Sequence, residues 1–155
     1  RNWMFDKSKI SINNHIDFIS NLKTDKTKLY LMVKRNNEFI GVYSLVGISN
    51  FSGQGGFYIS ETAKKKKLAV EFLFYCFEFV FNHTEINMIY GSEAIDNKNA
   101  FSLNRLFGFY DIVGRKIVYK NEYEYRYGEL HEEDYKKIRL SSKLNKLIKY
   151  SVKIK

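Results

Sequence analysis

The chain has 155 residues, with 26 basic against 17 acidic side chains, one cysteine and no proline. That length suits one domain with its own core, and a composition 45% hydrophobic and 17% aromatic excludes a disordered chain. The lone Cys76 excludes an internal disulfide framework and a cysteine-only zinc site, and no apolar run approaches the roughly 20 residues that span a bilayer.

A reducing, cytoplasmic setting is the expectation. The formal charge of +9 points to an anionic partner, with nucleic acid, a membrane surface and a phosphorylated small molecule all eligible, or simply to solubility.

In chain order, Ile10 to Leu22 has helical apolar spacing, with Ser11 as N-cap. Leu29 to Val33 and Phe39 to Ile48 read as strands of a hairpin turned at Arg35-Asn36-Asn37-Glu38. Ser49 to Gly56 has loop chemistry, and Phe57 to Ser60 is a short strand leaving it. Glu61 to Lys67 is polar and basic; Leu68 to Phe81 is too long for a buried strand and reads as a core helix. Ile86 to Ile95 is a strand, Asp96 to Asn99 a turn, and Ala100 to Phe107 a short helix ended by Gly108. Phe109 to Tyr119 and Glu122 to Leu130 are strands joined at Lys120-Asn121, and His131 to Lys149 is a C-terminal helix. The order predicts a single α/β domain with a mixed sheet: strand–helix–strand units in the middle and antiparallel pairs outside.

The informative segment is the strand–loop–helix from Phe57 to Ala69. A helix N-terminus after a strand offers unpaired N–H groups and a positive dipole end to a phosphate. Lys64, Lys65, Lys66 and Lys67 are expected at that helix start, where they oppose the dipole unless an anion binds; a solvated charge run is the competing reading. A second strand-to-helix turn follows at Asn97-Lys98-Asn99-Ala100, so two helix starts can grip one extended ligand.

Those residues resemble the GNAT superfamily of acetyl-CoA-dependent N-acetyltransferases. The likeness lies in Gly56-Phe57-Tyr58-Ile59, the basic turn into Leu68-Ala69, and Asp96 to Leu103 followed by Gly108-Phe109. Trp3-Met4, Ile10-Ser11 through His15, Phe18-Ile19, Leu22, Lys28 to Tyr30 and Gly41 to Ser44 are closer still to the enzymes that acetylate a UDP-linked 4-amino sugar in pseudaminic acid synthesis.

The resemblance implies one domain over residues 1–155, lacking the family's first strand, with residues 131–150 as a helical extension. It implies a mostly antiparallel sheet whose central parallel strands splay apart, flanked by helices. It places the pantetheine of acetyl-CoA against Phe57, Tyr58 and Ile59, and the pyrophosphate against Lys64, Lys65, Lys66, Lys67, Leu68 and Ala69. Asn97, Asn99 and Ala100 meet the other side of the cofactor.

Two departures stand out. Lys67 occupies the position of a glycine in the family's pyrophosphate loop, and Asn104 the position of a tyrosine that protonates the departing thiolate. Asparagine has no titratable proton and can only donate a hydrogen bond.

Acetyl transfer needs a neutral amine. Ser44 matches the position that relays its proton through water; a strand serine bonded to backbone is the alternative. A backbone N–H near Tyr58 would polarise the thioester carbonyl. Trp3, Met4, Phe5, His15 and Phe18 match the nucleotide-sugar side, although aromatics at helical spacing are commonly core.

His83 and His131 lack ligand companions at metal spacing, so no metal is expected, and Cys76 reads as a buried core thiol. The acidic Glu129, Glu132, Glu133 and Asp134 read as a helix start.

The leading expectation is an acetyl-CoA-dependent N-acetyltransferase acting on a nucleotide-linked amino sugar, monomeric or homodimeric, with neither nucleic acid nor membrane as partner. A protein or small-amine acceptor is one alternative. A degenerate acetyltransferase fold used for binding is another, favoured by Lys67 and Asn104.

Overall fold

The computed structural model describes residues 10–112 and 124–153. Trp3, Met4, Phe5 and the Lys120-Asn121 turn lie outside the described residues.

Helix α1 runs Ile12–Leu22, and the Ser11 hydroxyl accepts from the Asn14 N–H at 3.2 Å, the expected cap. Its apolar stripe is not core. Ile12, Ile16 and Ile19 are exposed, and only the edge carrying Phe18 and Leu22 leans inward. Phe18 meets Tyr30 edge-on, with ring centroids 5.2 Å apart.

Strands β1 (Lys28–Arg35) and β2 (Glu38–Ser49) form an antiparallel hairpin. Asn36 and Asn37 turn it in the left-handed region, which asparagine tolerates better than most residues. Asn50 and Phe51 turn the next hairpin in the same way into β3, Ser52–Ile59. The first half of β3 corrects the loop expected there. Ser52 to Gly56 has no apolar signal of its own, but pairing with β2 on one side and β4 on the other makes it strand.

Helix α2 is a five-residue piece, Glu61–Lys65, capped by Ser60. Helix α3 follows at Ala69–His83. Lys64 and Lys65 therefore close α2, Lys66 is its C-cap, and Lys67 directly precedes Leu68, the N-cap of α3. In the last turn of α2 the dipole favours cations.

Strand β4 is Met88–Ala94, α4 is Lys98–Leu106, β5 is Tyr110–Asp111 and β6 is Tyr125–His131. The expected C-terminal helix divides into α5 (Glu132–Arg139) and α6 (Ser142–Lys153). Ser141, whose hydroxyl accepts from the Leu144 N–H, restarts it. Gly108 leaves α4 at φ 96°, and a Cβ there would stand 2.4 Å from Ile138 Cδ1.

The six strands form one sheet in the order β1-β2-β3-β4-β6-β5, antiparallel except for β3 and β4. Helix α3 covers one face with Phe72, Leu73, Cys76, Phe77, Val80 and Phe81, all buried. Phe77 is the hub: the rings of Tyr43, Phe107, Phe109 and Tyr135 surround it at centroid distances of 5.1 to 6.0 Å. Tyr135 of α5 donates to Glu78 at 2.7 Å, and Leu144 of α6 is fully buried, so both C-terminal helices belong to the core.

Cys76 lies in that core, and burial pushes its thiol up to about 12. Thiolate is the reactive form. The native protein is expected to leave its single cysteine unreacted with a chromogenic disulfide reagent at pH 8 and to react fully in urea. Stoichiometric reaction before unfolding would contradict this packing.

Candidate functional site

Strands β3 and β4 hydrogen-bond only at Ser52/Met88, Gly53/Ile89 and Gln54/Tyr90. Both continue beyond that point, β3 to Ile59 and β4 to Ala94, so the parallel pair opens into a gap. Along it, residues 55–59 are paired to β2 on one side and, among the described residues, to no strand on the other. Backbone groups left this way suit an extended amide ligand. Phe57 and Tyr58 are exposed here, while Ile59 is buried.

At the start of the gap, Gly55 permits a close approach. A Cβ there would lie 2.9 Å from the Tyr43 hydroxyl and 2.8 Å from Ile89 Cγ2. That hydroxyl is buried and has no hydrogen-bond partner among the described residues. Burial also holds it firmly protonated, so it is a donor without an acceptor, placed where the strands part.

Along the chain, β3 leads through Ser60 into α2 and then into the turn between α2 and α3. Lys64 pairs with Glu61 at 2.7 Å and Lys66 with Glu38 at 2.6 Å. Among the described residues, no such pair engages Lys65 or Lys67. Lys67 has φ 56°, so lysine adopts here the left-handed conformation that glycine takes most easily. The following Leu68 and Ala69 begin α3 without a side-chain cap, which leaves first-turn N–H groups for a ligand.

Asn97 caps α4: its Oδ1 accepts from the Ala100 N–H at 3.2 Å, so that oxygen is already occupied. Asn99 is exposed on the first turn of α4 and Ala100 half-buried.

Ser44 and Asn104 approach the sheet from opposite faces. Ser44 stands in register with Tyr30 and Gly56, and its hydroxyl donates to the Gly56 carbonyl at 3.3 Å. Asn104 lies on the Tyr43 face, and its Nδ2 donates to Glu93 Oε2 at 2.5 Å. Glu93 went unnoticed in the sequence. The signal was its alternation with buried Ile89, which turns a strand carboxylate inward. Burial raises the Glu93 carboxyl above the ordinary glutamate range, against the lowering effect of the Asn104 bond and of Arg126.

His15 is exposed on α1 and Phe18 is half-buried against Tyr30. Sequence reasoning also missed a hollow of about 170 Å³ between β1 and the start of α3, where Arg35 pairs with the buried Glu71 at 3.2 Å. Among the described residues, no cluster of histidine, cysteine and carboxylate side chains could hold a metal ion, and no helix is long and apolar enough to cross a membrane.

No protein-family model matches the sequence, and no curated protein matches it either. Solved structures do. Spermidine N-acetyltransferase from Vibrio cholerae, in complex with CoA and spermine, superposes with a TM-score of 0.75 at 16% identity, over 86% of this chain and 82% of that one. The N-acetyltransferase PseH of Campylobacter jejuni, in complex with acetyl coenzyme A, gives 0.68 at 21% identity, over 81% and 83%. The sheet order, the single parallel pair and these superpositions agree: the chain has the fold of the GNAT N-acetyltransferases.

Proposed function

We propose that this protein is an acetyl-CoA-dependent N-acetyltransferase whose acceptor is the amine of a nucleotide-linked amino sugar. The observation that carries the reading is the gap beyond Gln54/Tyr90, with unpaired β3 backbone on one side and the buried, unpartnered Tyr43 hydroxyl at its base. Pantetheine carries two amides, which need such donors and acceptors. Phe57, Tyr58 and Ile59 would offer backbone to it, and Lys65, Lys67 and the first N–H groups of α3 would hold the pyrophosphate. Bound there, acetyl-CoA supplies an activated acyl thioester.

Opposite-face placement of Ser44 and Asn104 suits the reaction, since an amine can arrive on one face while the sulfur departs on the other. Ser44 would hand the amine proton to water; a serine alone is too weak a base to do more.

Charge supports the acceptor class. A chain of +9 attracts a nucleoside diphosphate and repels a polyamine such as the spermine bound by the Vibrio cholerae enzyme. Phe18 and Tyr30 would offer the base an aromatic surface.

A second reading, a degenerate fold that binds without turnover, is favoured by Asn104, which cannot protonate a thiolate. Calorimetry and the Asn104→Tyr variant test both. Acetyl-CoA is expected to bind at micromolar concentration, and the tyrosine to raise turnover of a UDP-4-amino sugar about tenfold or more. Failure to bind acetyl-CoA would end the acetyl-transfer reading. Binding with no turnover in either form would favour the degenerate one.

A further inference from the structure

Glu93 lies on β4 three residues beyond Tyr90, the last residue paired to β3, and so on the strand that walls the gap. It shares a face with Gly91, and the position of a Cβ on Gly91 is 3.5 Å from the Gly55 carbonyl. Gly91, which has no side chain, therefore separates Glu93 along its strand from the point where the strands part. Across the ladder Gly128 opposes Gly91, so the face is hollowed under α4, and Glu93, Asn104, Arg105 and Arg126 line the hollow.

Charges of both signs surround the carboxyl, and burial tips the balance toward its protonated form. Arg126, directly opposite in the ladder, stacks on Phe101 with its guanidinium 4.3 Å from the ring centroid. Arg105, from α4, is engaged by Asp111 of β5. Asp111 itself raises the Glu93 carboxyl, adding to burial, while Asn104, Arg126 and Arg105 lower it. Asn104 holds one oxygen only, Oε2, as a donor. A proton on the other oxygen is compatible with that bond.

We propose that Glu93 is the proton donor to the departing coenzyme A sulfur, with Asn104 as the residue that positions its carboxyl. This rests on the acetyl-transfer reading. As the acceptor nitrogen bonds the acyl carbon and the carbon–sulfur bond breaks, the sulfur takes the bonding pair and the Glu93 proton. The nitrogen sheds one proton to water, and the Glu93 carboxylate recovers one from water, so the sum is amine plus thioester to amide plus thiol.

The donor must be protonated, so activity that depends on it is present below its raised pKa and lost as pH rises through it. The test compares the wild type with Glu93→Gln. In the free protein, a carboxyl infrared band missing from Glu93→Gln is expected to titrate above the ordinary glutamate range of about 4.3. Glu93→Gln is expected to lower kcat about a hundredfold or more, within the usual span for a lost acid. Its calorimetric affinity for acetyl-CoA should stay within about twofold, and Glu93→Gln/Asn104→Tyr should recover turnover because tyrosine carries its own proton. A kcat within about threefold of wild type, a carboxyl band in the ordinary range, or loss of acetyl-CoA binding with Glu93→Gln would each overturn the assignment. Wild-type protein that binds no acetyl-CoA would instead take down the acetyl-transfer reading beneath it.

Discussion

Lys67→Glu is expected to weaken acetyl-CoA binding about tenfold to a hundredfold, while Lys67→Gly changes it less than about fivefold and stabilises the fold. A charge-assisted hydrogen bond contributes roughly 1.5–3 kcal/mol, and each ~1.4 kcal/mol is tenfold in affinity. Reversing the charge would remove the contact proposed for Lys67 and add repulsion toward a pyrophosphate. Lys64 and Lys66 cannot substitute freely, because each is engaged by a glutamate.

Glycine acts differently. Lys67 sits at φ 56°, and a non-glycine residue there costs roughly 1–2 kcal/mol. Glycine relieves that cost, less its own entropy loss of about 0.5–1 kcal/mol, and lets a phosphate approach the backbone. The net gain is expected as a Tm higher by roughly 1–3 °C. Calorimetry at low salt, where exposed charges are least screened, reads the affinities, and a thermal melt reads the stability. Equal affinity in all three proteins would remove the pyrophosphate from this turn.

That residue also shows where sequence reasoning stops. Lysine at a glycine position suggests that the close backbone approach is lost. The structure keeps the left-handed turn and loads the strain onto the lysine. Local signals read well where the cause is local: Ser11 bonds its own helix start, and Asn36-Asn37 turns a hairpin. Ser52 to Gly56 was illegible, because its strand exists only through its two neighbours. The break between α5 and α6 was hidden by Leu140, which fits the helical spacing yet lies exposed in the turn. Asn104 was legible as a departure, but its partner Glu93 was not, since strand alternation marks a face and not what waits across it.

Phe77→Ala is expected to cost about 3–5 kcal/mol, against about 0.5 kcal/mol or less for Phe79→Ala two residues away. Both are phenylalanines on the same helix, but Phe79 is exposed and Phe77 is 2% exposed. The four rings packed on Phe77 come from β2, from α5 and from the segment that ends α4, so its removal opens a cavity that no single element can collapse into. Native domains are stable by only about 5–15 kcal/mol, so the variant should approach the folding threshold, with Tm lower by roughly 10 °C. The loss should reach the site as well. Phe107 and Phe109 anchor the end of α4 against Phe77, and that helix carries Asn104 to Glu93. Urea titration gives the stability and acetyl-CoA turnover below the melting range gives the coupling. A Phe77→Ala protein as stable as Phe79→Ala would mean that α3 does not hold the sheet and α4 together through this ring.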